Sequence, residues 1–149
     1  MRTNLLNRRD FLKRSTGFIG AASMVSAASQ VGCIPSTAPA IRAELSENKI
    51  AVNTAIPELS RVGDGVKLEN DALEYPLLFI RKTGSTFVAV STECTHLGCQ
   101  VRMQRTVLRC PCHGSAYDLE GNVLNGPTEH PLRRYNIRMK GEIAEILVL

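Results

Sequence analysis

The chain has 149 residues, 44% of them hydrophobic and 21% charged, a globular balance that excludes a disordered or collagen-like polymer and suits one domain with tails. Its net charge of +4 belongs entirely to residues 1–40, where Arg2, Arg8, Arg9, Lys13 and Arg14 meet a single Asp10; residues 41–149 are neutral. With that neutral body, 5% aromatics and no Trp, neither a phosphate-binding surface nor a base-stacking platform is expected, which excludes nucleic acid as a partner.

Chain order begins with an address. Asn7-Arg8-Arg9-Asp10-Phe11-Leu12-Lys13 resembles the twin-arginine export signal, with Asn7 where Ser or Thr is usual. Twenty-seven uncharged residues then separate Arg14 from Arg42, but in residues 15–34 only eleven of twenty are apolar and many of those are Ala. A spanning helix wants about 20 mostly large apolar residues, so this is a weak span and a good signal segment. Three outcomes stay open: cleavage after Ala38-Pro39-Ala40, lipidation at Cys33 in Val31-Gly32-Cys33, or retention of residues 15–34 as an anchor. Each places the body on the outer, periplasmic face of a membrane. Residues 1–40 are thus expected to form the signal or anchor with the start of a linker, and 41–149 the functional domain.

Pro35–Asn48, rich in Ser, Ala and Pro and then charged, reads as that linker. Beyond it come short apolar runs bounded by turn residues. Strands are expected at Ile50–Thr54, Gly65–Glu69, Leu77–Lys82 and Thr86–Ser91, the last two joined by the turn Lys82-Thr83-Gly84-Ser85. Gln100–Arg109 alternates apolar and polar residues. Tyr117–Leu119 and Val123–Leu124 flank a turn at Glu120-Gly121-Asn122, and Leu132–Met139 and Glu142–Leu149 flank one at Lys140-Gly141. No stretch beyond residue 40 carries a helical apolar stripe. The pattern predicts an all-β fold, a small antiparallel sandwich or barrel with a two-loop cluster-binding subdomain.

The chemistry is concentrated in two boxes, Cys94-Thr95-His96-Leu97-Gly98-Cys99 and Cys110-Pro111-Cys112-His113-Gly114-Ser115, which hold four of five cysteines and two of three histidines. Cys and His are the main protein ligands for zinc and iron. Cys94, His96, Cys110 and His113 suit either a tetrahedral structural zinc, which leaves Cys99 and Cys112 without a role, or an iron–sulfur centre with two Cys on one iron and two His on the other.

The boxes resemble those of the Rieske [2Fe–2S] family, Cys-x-His and then Cys-x-x-His. Their extra cysteines make them most similar to the high-potential Rieske subunits of quinol-oxidising cytochrome bc-type complexes. The specific match covers Cys94–Asp118, the strand pattern supports it over Leu77–Leu149, and residues before Leu77 add no specific match. The thirteen residues between His96 and Cys110 are a shorter interval than in many members. The resemblance implies one [2Fe–2S] cluster, with Cys94 and Cys110 on the buried iron and His96 and His113 on the outer one. It implies a Cys99–Cys112 disulfide, which an exported protein permits. It implies that Ser115 donates to a bridging sulfide and Tyr117 to the Cys94 sulfur. Gly126-Pro127 would cover the cluster from a third side, and Leu97 would meet a docking partner at the exposed tip. The implied activity is transfer of one electron, coupled to a proton, from a hydroquinone held by a cytochrome b-type membrane subunit to a c-type cytochrome or similar acceptor. Such a chain is a subunit of an oxidoreductase rather than a self-sufficient enzyme.

The ligand choice has a physical rationale. Two thiolates leave the oxidised core neutral, whereas four make it a dianion, so two neutral imidazoles ease reduction. Hydroxyl donors on sulfur stabilise the added charge, and the potential is expected toward the positive end of roughly −150 to +300 mV. An iron-bound imidazole takes up a proton when the iron is reduced, because the ferric ion's pull on the ring is removed. A Rieske terminal oxygenase needs a second iron held by two His and a carboxylate, and only His130 is left over, in the loop Thr128-Glu129-His130-Pro131. The rival readings are a soluble Rieske ferredoxin, which the extra cysteines and the export signal oppose, the small Rieske subunit of an exported molybdenum oxidase such as arsenite oxidase, and an exported zinc domain.

Overall fold

A computed structural model describes residues 36–148; the twin-arginine stretch, the run 15–34 and Cys33 lie outside them. The strands are β1 (Ala40–Arg42), β2 (Leu45–Ser46), β3 (Lys49–Asn53), β4 (Gly65–Glu69), β5 (Leu77–Arg81), β6 (Phe87–Ser91), β7 (Arg102–Gln104), β8 (Val107–Arg109), β9 (Ala116–Tyr117), β10 (Val123–Asn125), β11 (Arg134–Lys140) and β12 (Ile143–Leu147), with one 3-10 turn at Pro57–Leu59. The fold is all-β, as the strand pattern implies. Eight strands pair in the order β1-β4-β5-β6-β11-β12-β3-β2, and a small sheet pairs β10-β9-β8-β7.

The large sheet curls on itself at β11. Arg134 and Tyr135 pair with β6, and Asn136 to Lys140 pair with β12, so one strand hands the sheet from one half to the other. Leu77-Leu78-Phe79-Ile80 in β5 is buried without interruption because the strand is covered on both faces. Leu77 and Phe79 pack with Ile50, Val66, Leu68 and Ile146 inside the curl. Leu78 and Ile80 pack on the opposite face with Cys94, Met103, Leu108, Tyr117 and Leu132, which belong to the cluster-binding subdomain. Each such side chain contributes about 1.5–3 kcal/mol of burial. The subdomain is therefore fixed to an interior strand of the large sheet, not tethered to its edge.

One expectation is corrected and one made specific. Pro35–Asn48 is not a linker over its described part. The Thr37 amide donates to the Met103 carbonyl at 2.8 Å, and Ala38 is buried. Ala40–Arg42 pairs in parallel with Lys67–Glu69, and Leu45–Ser46 pairs with Lys49–Ile50. Its small and charged residues are those of two very short strands that form both edges of the sheet, where little apolar surface is needed and a long exposed edge is a hazard. Gln100–Arg109 is likewise a hairpin, β7–β8, with Gln104 paired to Val107 across Arg105-Thr106. Arg105 takes the left-handed backbone (φ 55°), and its amide donates to the Thr37 hydroxyl at 3.1 Å. No glycine advertised that turn; a segment distant in the chain stabilises it.

Candidate metal centre

Both boxes become tight loops with one backbone scheme. The first spans Cys94–Cys99 after β6, and the second spans Cys110–Ser115 between β8 and β9. The Cys94 amide donates to the Cys99 carbonyl at 2.9 Å, and the Cys110 amide donates to the Ser115 carbonyl at 2.8 Å. The Gly98 amide donates to the Cys94 carbonyl at 2.8 Å, and the Gly114 amide to the Cys110 carbonyl at 3.2 Å. Gly98 and Gly114 both have positive φ (73° and 79°), which lets each loop reverse within four residues at no steric cost. By this register Cys99 corresponds to Ser115 and not to Cys112. A disulfide joins Cys99 to Cys112 across the two loops.

The loops bring all four candidate ligands to one place. Cys94 and Cys110 are 2% and 1% exposed and lie on the core side. The rings of His96 and His113 meet edge to face with centroids 4.8 Å apart, His113 exposed and His96 half-buried. Leu97 stands at the tip, 68% exposed. The side chains thus divide into two inner sulfurs and two outer imidazoles.

The sulfurs differ in their surroundings. Burial pushes the Cys94 thiol up, but the Tyr117 hydroxyl, the His96 amide and the Cys110 thiol outweigh it, and its pKa falls below the ordinary value. Tyr117 Oη lies 3.4 Å from Cys94 Sγ. Burial dominates at Cys110, whose thiol is raised. Tyr117 is raised as well, first by burial and then by its bond to Cys94.

Two buried polar atoms here have no partner, His96 Nδ1 and Ser115 Oγ. Leaving either unsatisfied costs about 1–3 kcal/mol. The first needs a hydrogen-bond donor or a metal ion for its lone pair, and the second an acceptor for its proton. A [2Fe–2S] cluster offers both, iron for the imidazole and sulfide for the hydroxyl. The donor set fits the cluster.

Gly126 closes a third side. Its φ is +117°, and a Cβ there would lie 2.4 Å from Ser115 Cα, so Gly126-Pro127 rests directly on the second loop. Three neighbours escaped the reading of the sequence. A Cβ on Gly98 would lie 3.1 Å from the Tyr75 hydroxyl, so Tyr75 backs the first loop. Thr95 donates its amide to Tyr117 Oη at 3.3 Å, and Thr128 is only 5% exposed. Thr95 stands inside the first box, which was a signal; nothing local marks Tyr75 or Thr128.

Paired Cys/His loops of this geometry on an all-β body define a Rieske-type iron–sulfur protein. The Rieske [2Fe-2S] domain family matches residues 52–136, and the chain belongs to that family, whose [2Fe–2S] cluster is its cofactor. The chain is 34% identical over 137 residues to the cytochrome b6-f complex iron-sulfur subunit of Chlorobaculum thiosulfatiphilum, covering 91% of this chain and 72% of that one. It is 30% identical over 135 residues to the corresponding subunit of Chlorobaculum tepidum, covering 89% and 71%. Among solved structures, the apo form of the quaternary ammonium Rieske monooxygenase CntA shares the fold with a TM-score of 0.53 at 16% identity, covering 76% of this chain and 34% of that one. Kinship therefore reaches well ahead of Leu77, where the boxes and strand pattern alone had begun it.

Proposed function

We propose that the chain is the Rieske subunit of a quinol-oxidising complex of the cytochrome b6-f type, attached at the outer face of a membrane. Similarity over most of the chain to two subunits of that kind supports the reading. The observation that carries it is the outward pair His96/His113 beside the exposed Leu97, a polar-and-apolar tip suited to a membrane-held hydroquinone. Cys94 and Cys110 would hold the inner iron and His96 and His113 the outer one. When bound, the cluster supplies one-electron redox chemistry between a hydroquinone on a cytochrome b-type subunit and a c-type cytochrome or similar acceptor.

The chain's own groups do the rest. His96 Nδ1 is already turned inward, which leaves Nε2 as the nitrogen free to accept a hydroxyl proton from the quinol. His113 is the more open of the two rings. Leu97 packs on the partner, and Gly126-Pro127 keeps water from the second loop. The Ser115 hydroxyl would donate to a cluster sulfide and the Tyr117 hydroxyl, 3.4 Å from the Cys94 sulfur, to that sulfur, and both would stabilise negative charge that arrives on reduction. Residues 36–48 are folded onto the body and so do not serve as a hinge for movement between donor and acceptor.

The test is a redox titration of the purified full chain followed by electron paramagnetic resonance, together with identification of its membrane partners. The expected result is a reduced-state signal with nitrogen coupling from two imidazoles, a positive midpoint, and copurification with b- and c-type haem. A midpoint near roughly −400 mV, as in plant-type ferredoxins, or recovery with a large molybdopterin subunit would overturn it.

A further inference from the structure

A closed set of hydroxyls stands behind the first loop. Tyr117 Oη lies 3.4 Å from Cys94 Sγ and 3.1 Å from Thr95 Oγ1. Thr95 Oγ1 is also 2.5 Å from Thr128 Oγ1 and 2.6 Å from the His130 carbonyl oxygen, which Thr128 Oγ1 approaches at 3.2 Å. Thr128 is 5% exposed and Tyr117 fully buried, while Thr95 between them is exposed, so water reaches the middle of the set but not readily its two ends.

The three hydroxyls own three protons, and their placement decides what the Cys94 sulfur receives. The 2.5 Å contact between Thr95 Oγ1 and Thr128 Oγ1 allows either as donor. The His130 carbonyl lies 2.6 Å from Thr95 Oγ1 and 3.2 Å from Thr128 Oγ1, so Thr95 is its nearer donor, and when Thr95 donates there or to Tyr117 Oη the contact between the threonines is made by Thr128 as donor. If Thr95 donates to Tyr117, the protons run in one direction from Thr128 through Thr95 and Tyr117 to the sulfur, and each bond polarises the next. If Thr95 donates to His130, the proton from Thr128 satisfies the Thr95 oxygen, which otherwise draws the Tyr117 proton at 3.1 Å in preference to the more distant sulfur. Without the Thr128 hydroxyl, Tyr117 is free to turn from Cys94 to Thr95.

We propose that Thr128 is a positioning residue that holds the Tyr117 hydroxyl on the Cys94 sulfur and thereby helps set the reduction potential of the cluster. It acts through Thr95 and Tyr117 and touches no ligand. This gives the buried end of the loop Thr128-Glu129-His130-Pro131 a role: the His130 backbone carbonyl anchors the network while the His130 side chain remains at the surface. The proposal rests on the reading of Cys94 as a cluster ligand.

The test is the midpoint potential of the full, cluster-loaded chain in four variants: Thr128→Val, Thr128→Ser, Tyr117→Phe, and Thr128→Val with Tyr117→Phe. Valine keeps the shape of threonine without its hydroxyl, and serine keeps the hydroxyl. At a fixed applied potential, Thr128→Val should lower the ratio of reduced to oxidised protein by about threefold, or about 30 mV given ~59 mV per tenfold for one electron. Thr128→Ser should match the wild type, and Thr128→Val should add nothing once Tyr117 is Phe. Iron content and the resonance signal of each variant report whether the cluster is intact. A Thr128→Val ratio equal to wild type would overturn the proposal, as would an equal drop in the Tyr117→Phe background or a Thr128→Ser variant that behaves like valine. If Tyr117→Phe alone leaves the midpoint unmoved, the Tyr117–Cys94 reading fails separately.

Discussion

The two cluster-binding loops share a backbone and differ in what stands behind their cysteines. Each begins with a buried Cys, reverses at a glycine with positive φ, and closes with a hydrogen bond from the Cys amide to the carbonyl of the residue five positions on. Behind Cys94 stands the Tyr117 hydroxyl, 3.4 Å from its sulfur, with Thr95 and Thr128 beyond it; Cys110 is met by the backbone amides of Cys112 and His113. The backbone therefore sets where a ligand sits, and side-chain donors set how much negative charge its sulfur can carry. One loop is tuned and the other is chiefly placed.

The largest expected effect tests whether the loops are equal as ligand holders despite that difference. Cys94→Ala and Cys110→Ala should each abolish the cluster, read as loss of iron and of the reduced-state signal in the isolated chain. A variant that keeps a native-like signal would remove that cysteine from the ligand set.

Removing the disulfide should separate the loops in stability rather than in ligation. The bridge closes a sequence separation of 13 residues, and a loop of that length is worth about 3 kcal/mol. Cys99→Ala with Cys112→Ala should lower unfolding free energy by about that amount in chemical denaturation. Hydrogen exchange should rise in Cys110–Ser115 more than in Cys94–Cys99, since the first loop keeps its hydroxyl network. Equal loosening would mean that the bridge, and not the network, orders both.

The smallest effect concerns the support of the second loop. The β8–β9 hairpin leads into a turn capped by Asp118, whose carboxylate accepts the Glu120 and Asn122 amides at 2.8 and 2.9 Å. Partial burial pushes the Asp118 pKa up, but bonds to Asn122 and Glu120 and the nearby Arg134 outweigh it and hold it below the ordinary carboxylate value. With the folded value depressed, its stabilisation is present above about pH 4, the unfolded value, and is lost as pH falls through the folded value. Denaturation midpoints measured from about pH 6 down to about pH 2.5 should fall less steeply for Asp118→Asn than for the wild type. Identical slopes would show that the cap carries no charge-dependent stability.

Legibility differed across the molecule for physical reasons. Ligand chemistry is written in residue type and close spacing, so Cys94, His96, Cys110 and His113 were readable as a set. The strands Gly65–Glu69 and Leu77–Arg81 were readable because apolar runs bounded by turn residues encode them locally. The folded edge strands Ala40–Arg42 and Leu45–Ser46 were not, because their partners, β4 and β3, hold them and their own composition is that of a linker. Arg105 turned a hairpin without a glycine because Thr37 accepts its amide hydrogen bond from 68 residues away.

By itself the sequence determined the class of strands, a candidate set of ligands and the family, since each depends on residue chemistry or local pattern. Tertiary structure alone decided that β5 is covered on both faces, that Gly126 lies on Ser115, and that Thr128 reaches the hydroxyl set behind Cys94. Those contacts join segments far apart in the chain, and their hydrogen bonds and packing exist only once the sheet has curled and brought them within a few ångströms.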